Sequence, residues 1–353
     1  MIDVFYTIRT LHGLGIKIQL HCFEYGRGKQ FELEEYCAEV HYYHRNEGHK
    51  GFSHKLPYIV CSRSNDELLE NLLKDDYPIV MEGIHCTQVL SDERFKNRKI
   101  ILRLHNVEHE YYDELYRQEK SVFKKIYYFN ESRLLKKYEQ SIADKALILA
   151  MANEDALKYR KQFHTDNISY LPVFHSADAT GCTEGNGCYC LYHGNLSVAE
   201  NETAAIWLLQ EVFDVLDVPF VIAGKNPSEK LQKLAHQHHH TCLVANPGEQ
   251  EMKDMICKAQ INIVPSFNHT GIKLKLLNAV FNGRHCITNF NAVGGTGLED
   301  ACHIAQSPED FRTLIRKLYQ QPFKLEEIMT RKELLSQLFN NKKNGEKLIK
   351  WIW

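Results

Sequence analysis

The sequence predicts an α/β protein made of two parallel-sheet domains, and three observations carry that reading. Short β-type runs alternate with helical patterns along the chain, the arrangement that helices packed on a mostly parallel sheet require. The 353 residues suffice for two separate cores of about 150 residues each. The segment from Ile261 to Thr288, INIVPSFNHTGIKLKLLNAVFNGRHCIT, reads as a strand, a polar loop with one glycine, a helix and a second buried strand.

In chain order, a helical pattern over residues 3–14 precedes the first strand. Strand-like runs then fall at 17–23, 38–43, 78–82, 99–105, 146–152 and 167–171, separated by helical stretches of which the longest covers 111–144. Residues 172–187, PVFHSADATGCTEGNG, hold turn formers without periodicity and mark the domain boundary. Beyond it, strands are expected at 187–193, 219–223, 241–245, 261–265, 285–288 and 303–305, each beside a helix of ordinary length. There is no internal repeat or low-complexity segment.

Hydrophobic content of 44% with 25% charged residues is that of a globular chain. A formal net charge of -2 offers no basic surface for nucleic acid, so no nucleic-acid partner is expected. No apolar run approaches the roughly 18 to 20 residues of a membrane span, and the opening MIDVFYTIRTLHGLGIKIQL lacks the pattern of a signal peptide. Most of the eleven cysteines sit in apolar runs, as small buried hydrophobes of a reducing cytoplasm would. Cys182, Cys188 and Cys190 cluster, but their spacing does not match a paired zinc motif, and a plain loop is expected there. No metal or other cofactor is expected.

The βαβ unit is the most informative chemistry in the chain. A helix N-terminus at the carboxyl end of a strand presents unpaired N–H groups and a positive dipole end, which favour phosphate. Gly271, with the backbone of Thr270, Ile272, Lys273 and Leu274, would supply the N–H groups. Lys273 and Lys275 have the wrong sign for the start of a helix, and an anionic ligand would account for them. Lys225, after the turn at Gly224, is a further cation, and Gly194 would let backbone approach a ligand closely. In the first half, His105 ends a strand-like run and so faces the ligand crevice, with Glu108 just beyond; Glu82 and His85 occupy similar topology.

Together with YHGNLSVAENETAAIWLL (192–209) and PFVIAGKNP (219–227), the Ile261 to Thr288 segment resembles the donor domain of retaining glycosyltransferases of the GT-B type. IILRLHNVEHEYY (100–112) extends the resemblance into the first half. It implies two Rossmann-like domains facing across a cleft and a C-terminal helix that crosses back to the first domain. On that plan residues 1–173 form the acceptor-side domain, 174–335 the nucleotide-sugar domain and 336–353 the helical crossover. Because a helix precedes the first strand here, the expectation is that either the chain start is shortened or the first sheet lacks a strand.

The resemblance also implies roles. Gly194, Asn195, Gly224, Lys225, Gly271, Ile272, Lys273, Leu274 and Asn278 would bind the donor. His105 would contact the transferred sugar, Glu108 would orient an acceptor hydroxyl, and Glu82 and His85 would lie on the acceptor side. The family commonly has two glutamates where Thr270 and Asn278 stand; Asn278 can accept one ribose hydrogen bond, while Thr270 cannot stabilise an oxocarbenium-like charge as a carboxylate would. The expected activity is transfer from a nucleotide-diphosphate sugar to a glycan or lipid-linked acceptor in surface glycan assembly. A sugar-nucleotide-binding relic and a nucleotide-sugar epimerase are the alternatives, although no acid and base pair for an epimerase can be placed. The stretch 120–137, KSVFKKIYYFNESRLLKK, reads either as a packed helix with a solvated basic face or as a contact with the inner membrane surface. The HQHHH run at 236–240 reads as a surface loop.

Overall fold

The structure, a computed structural model, describes the chain except for Met1, Tyr25, Arg27, residues 176–180, Cys182, His269 and Thr270; of Ile2, His49 and Lys50 it describes the backbone alone. The chain divides into two units, Met1–Ser176 with Phe339–Trp353, and Ala177–Leu338.

Unit 1 begins with α1 (Ile2–Gly13), followed by β1 (Gln19–Glu24) and β2 (Glu39–His44), which pair in parallel as a two-stranded sheet. Two short helices, α2 (Tyr58–Cys61) and α3 (Asp66–Leu72), come next; the Asn65 side chain accepts from the Leu68 N–H at 2.9 Å and so starts the second of them. Then come β3 (Ile79–Glu82), β4 (Ile100–Leu104), α4 (Glu108–Gln118), α5 (Val122–Ile142), β5 (Leu147–Ala150), α6 (Asn153–Phe163) and β6 (Ile168–Tyr170). Strands β3 to β6 form a second parallel sheet in sequence order. All five residues of β4 are buried, as a strand covered on both faces should be. One of them is Arg103, fully buried, whose guanidinium donates to both Asp3 carboxylate oxygens at 3.2 Å and lies 5.1 Å from the Phe174 ring centre. A buried charge persists only when paired, so α1 is tied to this sheet by charge as well as by apolar contact.

The helical stretch expected over 111–144 is two helices. Glu119 accepts from the N–H groups of Lys120 (2.8 Å) and Ser121 (2.9 Å), turning the chain and supplying an acceptor where α5 begins.

Unit 2 contains β7 (Cys190–Asn195), α7 (Ala199–Trp207), β8 (Phe220–Lys225), α8 (Glu229–Gln237), β9 (Thr241–Ala245), α9 (Glu249–Lys258), β10 (Ile261–Val264), α10 (Leu274–Asn282), β11 (His285–Thr288), α11 (Phe290–Val293), β12 (His303–Ile304), α12 (Pro308–Tyr319) and α13 (Leu325–Leu338). Its six strands are parallel in the order β12-β11-β10-β7-β8-β9. Tyr192, Ile222, Ile263, Ile287 and Phe311 belong to one buried core. The strand order reverses at β7, which lies between β10 and β8. In an open α/β sheet that reversal splits the flanking loops apart and opens a crevice at the carboxyl ends.

The last helix, α14 (Asn341–Ile352), belongs to unit 1. Leu348 and Ile352 pack with Leu11, Ile101, Leu149 and Phe174, so the apolar end LIKWIW completes the first core, as the resemblance implied.

Candidate functional site

The crevice of unit 2 is lined by backbone. Gly194 and Gly224 are register partners at the ends of β7 and β8, and Asn195 and Lys225 form the next pair. A Cβ on Gly224 would lie 1.9 Å from the Gly194 carbonyl oxygen, so a side chain there would force the two strands apart. On the other side of β7, the loop after β10 leads to α10 through Gly271, whose φ of +67° is in the left-handed region that glycine adopts without strain. Lys273 is the N-cap residue, with no side-chain cap bond to the helix, and Leu274 starts α10. Ile272, Lys273 and Leu274 are half-buried.

Polar contacts fasten this loop to its neighbours. Ser266 donates from its hydroxyl to Glu200 at 2.8 Å, and its backbone exchanges two hydrogen bonds with the Asn289 amide. Lys275 donates to Asn201 at 2.9 Å and to the Tyr192 hydroxyl at 3.3 Å, over whose ring it also lies. Burial pushes its ammonium down to about 8, with Glu200 acting against that shift and Lys273 adding to it. Of the two lysines marked in the sequence, Lys275 is therefore a tie between α10, β7 and α7, and Lys273 is the one left at the helix entrance. The Asn195 carboxamide oxygen accepts from the backbone and hydroxyl of Ser197 at 3.2 and 2.8 Å and so shapes the turn into α7. Lys225 is exposed. Asn278, one turn into α10, is half-buried in a stretch that is otherwise buried from Leu276 to Asn282. Thr270 lies outside the described residues.

The corresponding edge of unit 1 is lined by titratable side chains. Glu82 ends β3, His105 follows β4, and their side chains meet at 3.0 Å. The other Glu82 oxygen lies 3.9 Å from Arg103 Nε, which connects the edge to the buried Arg103–Asp3 pair. His85 packs on Gly83 in the same turn; burial, then Arg63, His105 and Arg45, pushes its imidazole down to about 3, so it is neutral in ordinary buffers. Glu108 stands in the first turn of α4, where Asn106 donates to it at 3.4 Å. Burial and the neighbouring Glu139 raise its carboxyl to about 7. Glu139 itself accepts from the Glu108 N–H at 3.0 Å and serves as the acceptor that α4 lacks in its own N-cap residue.

The sequence reasoning did not single out Arg45, whose charge bears on His85, or Arg63, whose charge bears on both His85 and Glu108. Arg45 directly follows β2, so the strand-end rule that selected His105 would have selected it too. Arg63 follows a four-residue helix and carries no such signal.

At the start of α5, Val122, Phe123 and Ile126 are 68, 88 and 56% exposed beside Lys124 and Lys125, so this end of the helix does not pack its apolar side. Among the described residues no helix is long and apolar enough to cross a membrane. The histidine run ends α8 and enters the following turn, where His238 to His240 line a surface recess.

A parallel sheet with a glycine-lined crevice at its strand reversal, followed by a helix whose N-cap residue is a lysine, is the arrangement of a nucleotide-binding α/β domain. Residues 187–321, which span that domain, match the family described as glycosyl transferases group 1. An uncharacterized 44.6 kDa protein in a cps region of Klebsiella pneumoniae is 30% identical over 286 residues, covering 76% of this chain and 72% of that protein. This chain belongs to the glycosyl transferases group 1 family and is a glycosyltransferase acting on nucleotide sugars. Its fold is that of GT-B glycosyltransferases. The sucrose-phosphate synthase of Thermosynechococcus elongatus superposes with a TM-score of 0.74 at 12% identity, over 98% of this chain and 91% of the synthase. A mutant of S. aureus TarM in complex with fondaparinux, alpha-GlcNAc-glycerol and UDP superposes with a TM-score of 0.61 at 14% identity, over 80% of this chain. This chain spans 58% of the TarM chain.

Proposed function

We propose that this glycosyltransferase moves a sugar, with retention of its anomeric configuration, from a nucleoside diphosphate to a glycan or lipid-linked acceptor in surface polysaccharide synthesis. The single observation that supports the donor half is the Gly194–Gly224 register pair beside the Gly271 entrance to α10, where backbone and not side chain would meet the ligand. The N–H groups of Gly271 to Leu274 would hold the diphosphate, with Lys273 and Lys225 adding charge as it departs. Asn278 would accept a hydrogen bond from a ribose hydroxyl.

In a retaining transfer the departing diphosphate can take the acceptor proton on the same face, so no dedicated base is required. His105, held by Glu82, would contact the transferred sugar, and Glu108, with its raised carboxyl, would orient the acceptor hydroxyl. The cps region of the Klebsiella relative supports a polysaccharide role. The exposed Phe123 and Ile126 among lysines support contact with an anionic membrane surface, where a lipid-linked acceptor would be found.

The test is a thermal-shift screen over nucleoside diphosphate sugars, followed by turnover of the stabilising donor with glycan and lipid-linked acceptors. A ligand of the native state raises the melting temperature, and the product of an α-linked donor should be α-linked. A β-linked product would remove retention. Because Thr270 stands where the family has a glutamate, Thr270→Glu should raise turnover at unchanged donor affinity if the wild-type enzyme is slow for want of that carboxylate. Donor binding without turnover in either protein would favour a binding relic.

A further inference from the structure

We infer that His285, His303 and Glu327 form a Zn2+ site in unit 2 that fastens α13 to the amino ends of β11 and β12. One ligand atom from each of the three lies within 4.8 Å of the other two. His285 and His303 open adjacent parallel strands, and Glu327 stands in the first turn of α13, so three elements meet at one point.

The decisive atom is His285 Nδ1. The residue is fully buried, and its Nε2–H donates to the Gln321 carbonyl at 2.9 Å, which leaves Nδ1 as the lone-pair nitrogen. That nitrogen has no hydrogen-bond partner and lies 3.6 Å from Glu327 Oε1. Two acceptors at that distance repel unless a cation or a proton lies between them. The His303 ring stands 5.6 Å from the His285 ring, so a cation at this point would have two imidazoles and a carboxylate around it.

The 3.6 Å between His285 Nδ1 and Glu327 Oε1 suits zinc. Ligands about 2.0–2.2 Å from a tetrahedral Zn2+ stand roughly 3.3–3.6 Å from one another. The outer contacts also follow the usual pattern, in which a ligating histidine donates its other N–H to a backbone carbonyl and a ligating carboxylate is itself hydrogen-bonded. The second Glu327 oxygen accepts from the Lys324 N–H at 3.0 Å, and the Phe323 ring stands edge-on to His285 at 5.1 Å. Water would complete four ligands. The other three-residue cluster, Asp3, Glu82 and His105, already faces the guanidinium of Arg103, so its cation is supplied by the chain. Arg331 donates to the carbonyls of Gly283 and Val280 and lies over Phe323. Since the strands are parallel, the zinc lies at the edge of the sheet opposite the nucleotide crevice, and its role is structural.

The test uses the whole chain with His236, His238, His239 and His240 replaced by alanine, which removes the surface histidine run as a competing chelator. After treatment with EDTA, titration with Co2+ should give the visible bands of a tetrahedral complex at one equivalent, displaced by one equivalent of Zn2+. Zn2+ should raise the melting temperature of this protein. Adding His303→Ala or Glu327→Gln should weaken binding by more than about a hundredfold, beyond the cost of losing an outer-shell partner, and abolish the rise. If His303→Ala does not fold, Glu327→Gln decides, because its amide oxygen still accepts from Lys324. Cobalt spectra without tetrahedral bands, or undiminished affinity in Glu327→Gln, would overturn the site.

Discussion

The carboxyl edges of the two sheets solve different problems with different material. In unit 2 the edge is made of Gly194, Gly224 and Gly271, which leave bare backbone where side chains would otherwise stand. In unit 1 it is made of Glu82, His85, His105 and Glu108, where side chains are crowded together and burial displaces the protonation of His85 and Glu108 in opposite directions. The contrast follows from what each would bind. A diphosphate is satisfied by N–H groups and a helix dipole that every sequence possesses, whereas a sugar hydroxyl needs acceptors of chosen position and charge.

The sharpest way to break the comparison is to put a side chain into the backbone-lined edge. Gly224→Ala must displace the Gly194 carbonyl, so it should cost about 1–3 kcal/mol of stability and abolish measurable nucleoside diphosphate binding; urea unfolding and calorimetric titration read both. Gly194→Ala meets only Asn201, at 3.3 Å, and should do much less. Equal effects would mean that the glycine pair is not a close-approach device.

Next in size is Lys273→Ala. A charge-assisted hydrogen bond contributes on the order of 1.5–3 kcal/mol, so nucleoside diphosphate affinity should fall more than about tenfold while nucleoside affinity stays the same. A parallel loss for both ligands would place Lys273 away from the phosphates.

Glu108 tests the side-chain edge through pH. Its folded-state value of about 7 is above the ordinary carboxylate value, so the native state holds the proton more tightly than the unfolded chain. Stability should therefore fall as pH rises from the ordinary value through about 7, and the cost is fully present above that. Glu108→Gln should remove the penalty and gain roughly 1 kcal/mol over wild type at pH 8, allowing for the partial solvent exposure of the carboxyl. Denaturant midpoints at pH 5 and pH 8 give the answer, and a gain of the same size at both would exclude Glu108 as the titrating group. The same variant should lose an ionisation near pH 7 from kcat/KM.

The smallest effect is expected for Asn278→Glu. A carboxylate can accept from both ribose hydroxyls, so nucleotide affinity should hold or rise by a few fold. Clear weakening would show that charge repulsion with the diphosphate prevails and that Asn278 does not face the ribose.

Much of the frame was legible in the sequence because it rests on local signals. The βαβ unit at Ile261 to Thr288, the opening helix and the apolar last helix were readable from periodicity and from Gly271. The break between α4 and α5 was not, since Glu119 acts there by accepting from the backbone N–H groups of Lys120 and Ser121. Periodicity is insensitive to one acceptor in a polar turn.

What the sequence by itself determined is the order of strands and helices and the places where glycine ends a strand, because both follow from neighbours within a few residues. Only the tertiary structure decided which charges stay at a helix entrance and which hold the fold. Lys273 and Lys275 look alike in sequence, yet one stands at the N-cap position of α10 without a side-chain cap bond and the other is turned onto Asn201 and Tyr192. Arg103 in an apolar strand is explained only by Asp3, a hundred positions earlier. His285, His303 and Glu327 are spread over 43 positions and have no common spacing, but strand pairing and the start of α13 place them at one point. The physical reason is the range of the forces: propensity and capping act within a turn or two, whereas burial sets the cost of a charge, and burial is a property of the whole packed domain.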